Sequence, residues 1–366
     1  MKGLKRVVHF YEDPKFLSAA IAKFANAGEA RHVFFSIGKF SARSLRGILV
    51  VALPTKLVNI LLPFWHWYFD AWVIHGFSHS FFAIDYTNIP TKLKVLAIFW
   101  GFDLYSLKGA RQGYLQEQTL EYEKGNPKFQ RNFQTPEFEA FIGQRVDFVS
   151  TIVPNEFELL RSHFPNGRFI FRWFSYFDLE NDVLKGAIDP HIKVSGSNLM
   201  LGNNASPWNN HLDAARSIKA FGFEFDKIIC PLSYSGSQPY VQRVVQHFDA
   251  HFGERFLPLT DFMAYADYIG TISTCRFVYF NSNRQIGLGN LLFSIYLGSV
   301  VILNTSNPLY AFFNSNGIRV FSVEEAQCAR EFEFDLNLSR VNLMRLFAAS
   351  AVRERTAILV RSLLTS

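Results

Sequence analysis

Short apolar runs separated by turn residues and by helical stretches predict a chain of alternating strands and helices. Arg6–Phe10 and His32–Ile37 read as strands, and Pro14–Asn26 between them reads as a helix with Pro near its start. Ala71–His75, Val95–Trp100, Val146–Val153 and Arg168–Phe174 continue the strand series, each ending near Gly, Asn, Asp or Pro. This alternation predicts a doubly wound parallel α/β sheet, in which functional loops sit at the carboxyl ends of strands.

Residues 175–195, with Asp178, Glu180, Asn181, Asp182 and Pro190, read as a linker. A second series follows: strands at Asn198–Leu201, Lys227–Pro231, Arg276–Phe280 and Val300–Asn304, and helices near Pro207–Phe221, Pro239–His251 and Gly289–Leu297. One long helix is expected over Leu338–Leu364. Two similar halves, 1–178 and 190–366, suggest the α/β GT-B architecture, two Rossmann-like domains facing a central cleft with a C-terminal helix.

The segment Gly47–Trp65 (GILVVALPTKLVNILLPFW) breaks this rhythm. A spanning helix wants about 20 mostly apolar residues, and this one contains Pro54, Lys56, Asn59 and Pro63. After Pro54, Thr55, Lys56 and Asn59 form one polar stripe on an otherwise apolar helix. Arg43 and Arg46 precede it, and Trp65, Trp67, Tyr68 and Trp72 follow. Three readings stay open: a helix buried against the sheet, a helix lying in a membrane interface within residues 47–72, and a true span.

Composition narrows the class. With 49% hydrophobic and 19% charged residues over 366 positions, the chain is neither disordered nor fibrous. A mean hydropathy of +0.06 is too low for a polytopic membrane protein. Residues 1–60 hold ten Lys or Arg against three acids, although the whole chain is only +6, so the basic charge is concentrated there. That suits an anionic partner such as a phosphate or an acidic membrane surface. Nucleic acid is the weakest candidate, because no recognised binding motif accompanies the charge. Cys230, Cys275 and Cys328 are odd in number and far apart, which gives neither a disulfide framework nor metal-ligand spacing and favours a reducing compartment. MKGLKR resembles the start of an export signal, but Glu12, Asp13 and Pro14 cut off the apolar run it would need, so none is expected.

Three polar loops follow three strands of the second series. In Phe277–Asn304, Gly287 and Gly289 open a helix, where backbone N–H groups and the helix dipole favour a phosphate, and Arg284 and Gln285 just before it can reach phosphate oxygens or sugar hydroxyls. The bland alternative is a tight turn, since the spacing is not the full dinucleotide fingerprint. Gly202, Asn203 and Asn204 lie in a second loop, where Asn204 or Ser206 can equally be a helix cap. The third, Pro231–Gly236, offers Tyr234 for stacking on a base or sugar. In the first half, His75 and Asp103 lie at two strand ends and can form a base and its orienter, or a packed histidine and a cap. No Asp-x-Asp pair, nucleotide-binding GKS or GKT loop or His/Cys cluster occurs, so metal-independent chemistry is expected.

The motifs WGFDLY, LGNNASPWNNH, IICPLSY, PYVQRV and above all YFNSNRQIGLGNLLFSIYLGSVVILNTSNPLY resemble those of the bacterial TDP-Fuc4NAc:lipid II Fuc4NAc transferases, the 4-alpha-L-fucosyltransferases of glycosyltransferase family 56. The resemblance runs from about His75 to Pro308, and the first 70 residues lie outside it. It implies a GT-B enzyme, peripheral on the cytoplasmic face of the bacterial inner membrane, that moves a deoxy(acetamido)sugar such as Fuc4NAc or fucose in cell-surface polysaccharide synthesis. The nucleotide-sugar donor is expected to be dTDP-linked, and the acceptor an undecaprenyl-diphosphate-linked glycan. The first domain would bind the acceptor and the second the nucleotide sugar. Donor contacts would come from Gly202, Asn203, Asn204, Tyr234, Asn281, Arg284, Gln285, Gly287, Gly289 and Asn290, with Asp103 and His75 as catalytic candidates. No cofactor beyond the donor is expected. The rivals are a GT-B-fold nucleotide-sugar epimerase, which needs no acceptor, and a non-enzymatic basic membrane-associated module.

Overall fold

The computed structural model describes residues 4–11, 16–28, 30–37, 41–45, 48–77, 84–85, 88–107, 111–124, 126, 135–185, 191 and 193–365. The chain divides into two compact units. The first comprises Met1–Gly109, Arg131–Asp178 and Ala349–Ser366, and the second Ala110–Gln130 and Leu179–Ala348.

Among the described residues, the first unit is built on eight strands: β1 (Arg6–Tyr11), β2 (Arg31–Ile37), β3 (Ser41–Leu45), β4 (Ile48–Leu53), β5 (Ala71–His75), β6 (Lys94–Ile98), β7 (Phe148–Ser150) and β8 (Ile170–Phe171). Their order is β3-β4-β2-β1-β5-β6-β7-β8, parallel throughout except for β3 against β4. Alternation along β1 sends Val8 and Phe10 into one core with Trp72, Ile74 and Val95, and Val7 and Tyr11 into another with Leu17, Ile21, Phe24 and Phe34. Leu359, Val360 and Leu363, from the helix Ala349–Leu364, complete that second core. Both faces are therefore covered, which is why β1 and β5 are buried along almost their whole length, His9 and His75 included.

Among the described residues, the second unit has six parallel strands: β9 (Asn198–Leu201), β10 (Ile228–Pro231), β11 (Phe256–Leu259), β12 (Cys275–Phe280), β13 (Val300–Leu303) and β14 (Phe321–Ser322). The order is β11-β10-β9-β12-β13-β14. Connections leave β9 in one direction and return on its other side at β12. That reversal opens a crevice at the carboxyl ends of this pair. In the first sheet, β1 and β5 are the corresponding pair.

Two expectations need correction. The apolar stretch 47–65 is not one helix. Ile48–Leu53 is a strand, Pro54 ends it, and only Thr55–Leu61 is α-helical before a tighter turn over Leu62–Trp67. No described helix is long and apolar enough to cross a membrane. Arg46 and Gly47 lie outside the described residues. The long helix expected over Leu338–Leu364 is two, Leu336–Phe347 and Ala349–Leu364, parted at Ala348 with ψ 147°. No Gly or Pro marks that break. It arises because each helix buries its own face, Leu343 and Phe347 in one, Leu359 and Leu363 in the other.

Candidate functional site

At the end of β9, Gly202 turns with φ +64°, and its N–H donates to the Tyr279 carbonyl at 2.9 Å, tying β9 to β12. A side chain there is blocked twice. The left-handed backbone disfavours it, and a Cβ would lie 3.0 Å from Asn209 Oδ1 and 3.1 Å from His211 Nε2. Asn204 Oδ1 accepts from the Ser206 N–H at 2.9 Å and from Asn209 Nδ2 at 3.1 Å, so Asn204 shapes the turn. Asn203 is different. Its Oδ1 is buried without a hydrogen-bond partner, as are Asn209 Oδ1 and His211 Nε2. Burial lowers the His211 pKa to about 3, so the ring is neutral at physiological pH.

The loop after β12 meets this turn. Gly287 has φ +66°, and a Cβ there would lie 2.4 Å from the Phe280 ring and 2.9 Å from Asn203 Cγ. Gly287 caps the helix Leu288–Leu297, whose first amides have no partner within the helix. Gly289, inside the first turn, has open space where a Cβ would stand. Arg284 lies over the Trp208 ring at 5.0 Å, and both Arg284 and Gln285 are buried. The loop is held from beneath: Asn307 Nδ2 donates to the carbonyls of Ser282 and Arg284, each at 3.0 Å.

The loop after β10 joins the same edge. Ala205 N–H donates to the Tyr234 carbonyl at 2.9 Å, and Gly236 packs so tightly that a Cβ would lie 2.3 Å from the Ala205 carbonyl oxygen. Tyr234 is 40% exposed, available for a flat partner. Asn290 is hydrogen-bonded to the Tyr268 hydroxyl, whose burial raises its pKa. The structure thus brings Asn203, Tyr234, Arg284, Gln285, Gly287, Gly289 and Asn290 to one sheet edge.

Asn281 has another task. Its Nδ2 donates to Gln116 Oε1 and the Asn210 carbonyl, each at 3.0 Å, and its Oδ1 accepts from Gln116 Nε2 at 2.9 Å and Asn304 Nδ2 at 3.1 Å. The amide's whole capacity is spent on protein groups. Asn210, in a left-handed conformation, accepts from the Gln116 N–H and donates to the Tyr114 carbonyl. Asp213 accepts from the N–H groups of Gln118 and Thr119 at the start of the helix Glu117–Glu123. These contacts hold residues 114–123 to the sheet edge. Tyr268 and Gln116 were not singled out from the sequence, and Trp208 and Asn210 were read only as part of the helix after the Gly202 loop, because the sequence gives no signal for partners so far apart along the chain.

In the first unit, Asp103 and His75 lie at neighbouring strand ends, and among the described residues no hydrogen bond joins them. The Asp103 carboxylate accepts from the N–H groups of Trp100 (2.7 Å), Leu104 (2.8 Å) and Phe77 (3.0 Å). Burial pushes its pKa up to about 6, against the pull of those N–H groups. His75 is buried, and both its nitrogens are engaged within a chain of rings. Trp100 Nε1–H donates to the Tyr176 hydroxyl at 2.6 Å, which donates to His75 Nδ1 at 2.6 Å. His75 Nε2–H then donates to His9 Nδ1 at 2.9 Å, and His9 Nε2–H to His32 Nδ1 at 2.8 Å. Trp can only donate, so this one direction of neutral tautomers satisfies every link. Burial lowers the pKa values of all three histidines, His75 to about 3 and His32 to about 4.

Residues 180–348 match the model of the 4-alpha-L-fucosyltransferase family, glycosyl transferase group 56, bearing out the motif resemblance over that segment. Among solved structures, AviGT4, a glycosyltransferase involved in avilamycin A biosynthesis, is similar with TM-score 0.54 at 12% identity over 98% of each chain. OtsA is similar with TM-score 0.65 at 9% identity over 99% of each. Anabaena Alr3699/HepE, solved in complex with UDP, is similar with TM-score 0.58 at 12% identity over 98% of this chain and 100% of that one. At such identities the likeness is one of fold. The fold is α/β, with the two Rossmann-like domains of GT-B glycosyltransferases.

Proposed function

We propose that this chain, whose residues 180–348 match the group 56 transferase model, moves a deoxy(acetamido)sugar such as Fuc4NAc or fucose from a dTDP-linked donor to an undecaprenyl-diphosphate-linked glycan. The observation that carries the reading is the meeting of two turns at the β9/β12 reversal. There Gly287 opens a helix beside the unpartnered Asn203 oxygen, and Arg284 is stacked on Trp208 nearby. A diphosphate fits such a place because amides at a helix start and a fixed guanidinium stabilise charge growing on the leaving group. Tyr234 would stack on the base or sugar, and Asn203 would accept a hydrogen bond from the donor. Metal is unnecessary in this scheme, since Arg284 and the amides supply the charge relief.

Asp103 is the better candidate for taking the acceptor proton. Its pKa near 6 suits a base working at neutral pH. His75, with both nitrogens occupied, would position the strand end. The basic first 60 residues and the exposed aromatics after Pro54 support peripheral attachment to the cytoplasmic face of a bacterial inner membrane.

A thermal-shift screen of nucleotides and nucleotide sugars tests the donor assignment. Ligand at about 100 times its Kd adds about 2.7 kcal/mol, which moves Tm by several degrees. Stabilisation by dTDP-sugars above other nucleotide sugars is expected, followed by label transfer into a lipid-extractable product. Epimerised donor with no acceptor product would point to the epimerase instead. Indifference to every nucleotide would leave the binding-module reading in its place.

A further inference from the structure

Arg6 and Arg31 open β1 and β2 and stand opposite one another in the parallel register. Their side chains therefore emerge side by side on one face, an arrangement that repels unless an anion lies between. Among the described residues neither guanidinium has a carboxylate within ion-pair distance. Asp70 is the near candidate, and its Oδ2 accepts from the Arg6 backbone N–H at 2.8 Å. The two arginines line a cavity of about 430 Å³ whose other walls are apolar, among them Leu61, Phe64, Trp65 and Tyr68.

The surface beside this cavity is greasy. Ile60 and Trp67 are 64% and 65% exposed, and the Phe64 and Trp67 rings meet at a tilt of 45° with centroids 5.3 Å apart. A contiguous apolar patch of this kind on a soluble surface marks a contact site. Its position separates it from the acceptor chemistry. The cavity lies where β1 and β2 begin, whereas His75 lies at the opposite edge of the sheet, about 17 Å away along a six-residue strand.

We propose that this cavity seats the phosphodiester headgroup of an anionic phospholipid, with the phosphate between Arg6 and Arg31 and the acyl region along Ile60, Phe64 and Trp67. The pairing of unpartnered guanidiniums with apolar walls matches a lipid better than a free anion, which has no use for the aromatics. The inference rests on the peripheral-membrane part of the proposed function and not on the sugar transfer. It makes attachment a matter of one built site rather than of diffuse basic charge.

Full-length protein is mixed with vesicles of phosphatidylcholine alone or with added phosphatidylglycerol, and binding is read by co-sedimentation. Two charge-matched variants are compared: R6Q/R31Q in the cavity, and K92Q/R168Q at the same sheet edge beside β6 and β8. Wild type should bind the anionic vesicles, R6Q/R31Q should lose about 30-fold in partition, and K92Q/R168Q should change only a few-fold. I60S/W67S, altered only at exposed positions, should abolish the fraction that survives high salt. Equal losses in the two charge variants would overturn the cavity while leaving membrane attachment standing. A wild type that ignores anionic vesicles would overturn both. Thermal stabilisation by inorganic phosphate, lost in R6Q/R31Q and unaccompanied by vesicle binding, would make the site a free-anion site and overturn the lipid assignment.

Discussion

Acidification should unfold the first unit before the second, because the ring chain holds three histidines neutral. Their folded pKa values lie below the ordinary 6.5. The stability this neutrality preserves is complete above pH 6.5 and is lost as pH falls below it, since the unfolded chain then binds protons that the fold refuses. At about pH 5 each such histidine costs about 2 kcal/mol relative to neutral pH, however far below 5 its folded value lies. Three of them cost roughly 6 kcal/mol. Asp103 works the other way: its folded value, near 6, lies above the unfolded 3.8, so acid relieves it, returning about 1 kcal/mol at pH 5. The net loss of about 5 kcal/mol is comparable to the whole stability of many domains. In the second unit His211 is in this condition, for a loss of about 2 kcal/mol, and His247, lowered by burial but half exposed, adds less.

Tryptophan fluorescence can follow the first unit almost alone. Trp65, Trp67, Trp72, Trp100 and Trp173 belong to it, and only Trp208 lies in the second. With a urea m-value of about 2.5 kcal/mol/M, the fluorescence midpoint should drop by about 2 M between pH 7.5 and 5. His9→Gln should flatten that dependence by about a third, while lowering stability at pH 7.5 by about 1–3 kcal/mol through the broken link. A fluorescence midpoint that stays put between the two pH values would mean that the rings take up protons inside the fold. The neutral, one-directional chain would then be wrong.

Gly289→Val should keep the wild-type melting temperature, since its Cβ meets open space, yet lose nucleotide stabilisation in the thermal-shift assay. Gly287→Ala should lose both, because φ +66° and a 2.4 Å clash with Phe280 strain the fold itself, and a drop of about 1–3 kcal/mol in urea unfolding checks it. Transfer activity should persist in EDTA, whereas loss restored by magnesium or manganese would assign charge relief to a metal. Gln116→Leu should destabilise by about 1–3 kcal/mol by stranding the Asn281 amide, and faster hydrogen exchange over residues 114–123 should report the released segment.

Strands in the sheet interior were legible because burial on both faces leaves a short, uninterrupted apolar run. Ala71–His75 and Asn198–Leu201 appear with the predicted bounds. Edge elements were not. Ser41–Leu45 is polar enough to pass as a loop, and Phe321–Ser322 is too short to have a period. In 47–65, hydrophobicity alone cannot separate strand from helix, and Pro54 marked the junction without saying what lay before it. The three strand-end loops were legible because Gly and Asn punctuate them. The roles of their residues were less so. Asn281 and Asn203 look alike in sequence, yet one is saturated by Gln116, Asn210 and Asn304 while the other has a free oxygen. Nor does His9, read only as part of a strand, announce that it faces His75 across a strand pair.

The first unit takes its last helix from residues 349–364, so its assembly runs against the direction of synthesis. When residue 348 has just been added at the ribosome, the last stretch of the second unit is still inside the exit tunnel. The first still lacks Leu359, Val360 and Leu363, which seal the core over Leu17, Ile21 and Phe24. Those apolar side chains must wait uncovered through the translation of the entire second unit, roughly ten to forty seconds at 5–20 residues per second. The nascent chain therefore carries a first unit that stays open until synthesis ends. During that interval the first unit is the part whose apolar core lies open longest.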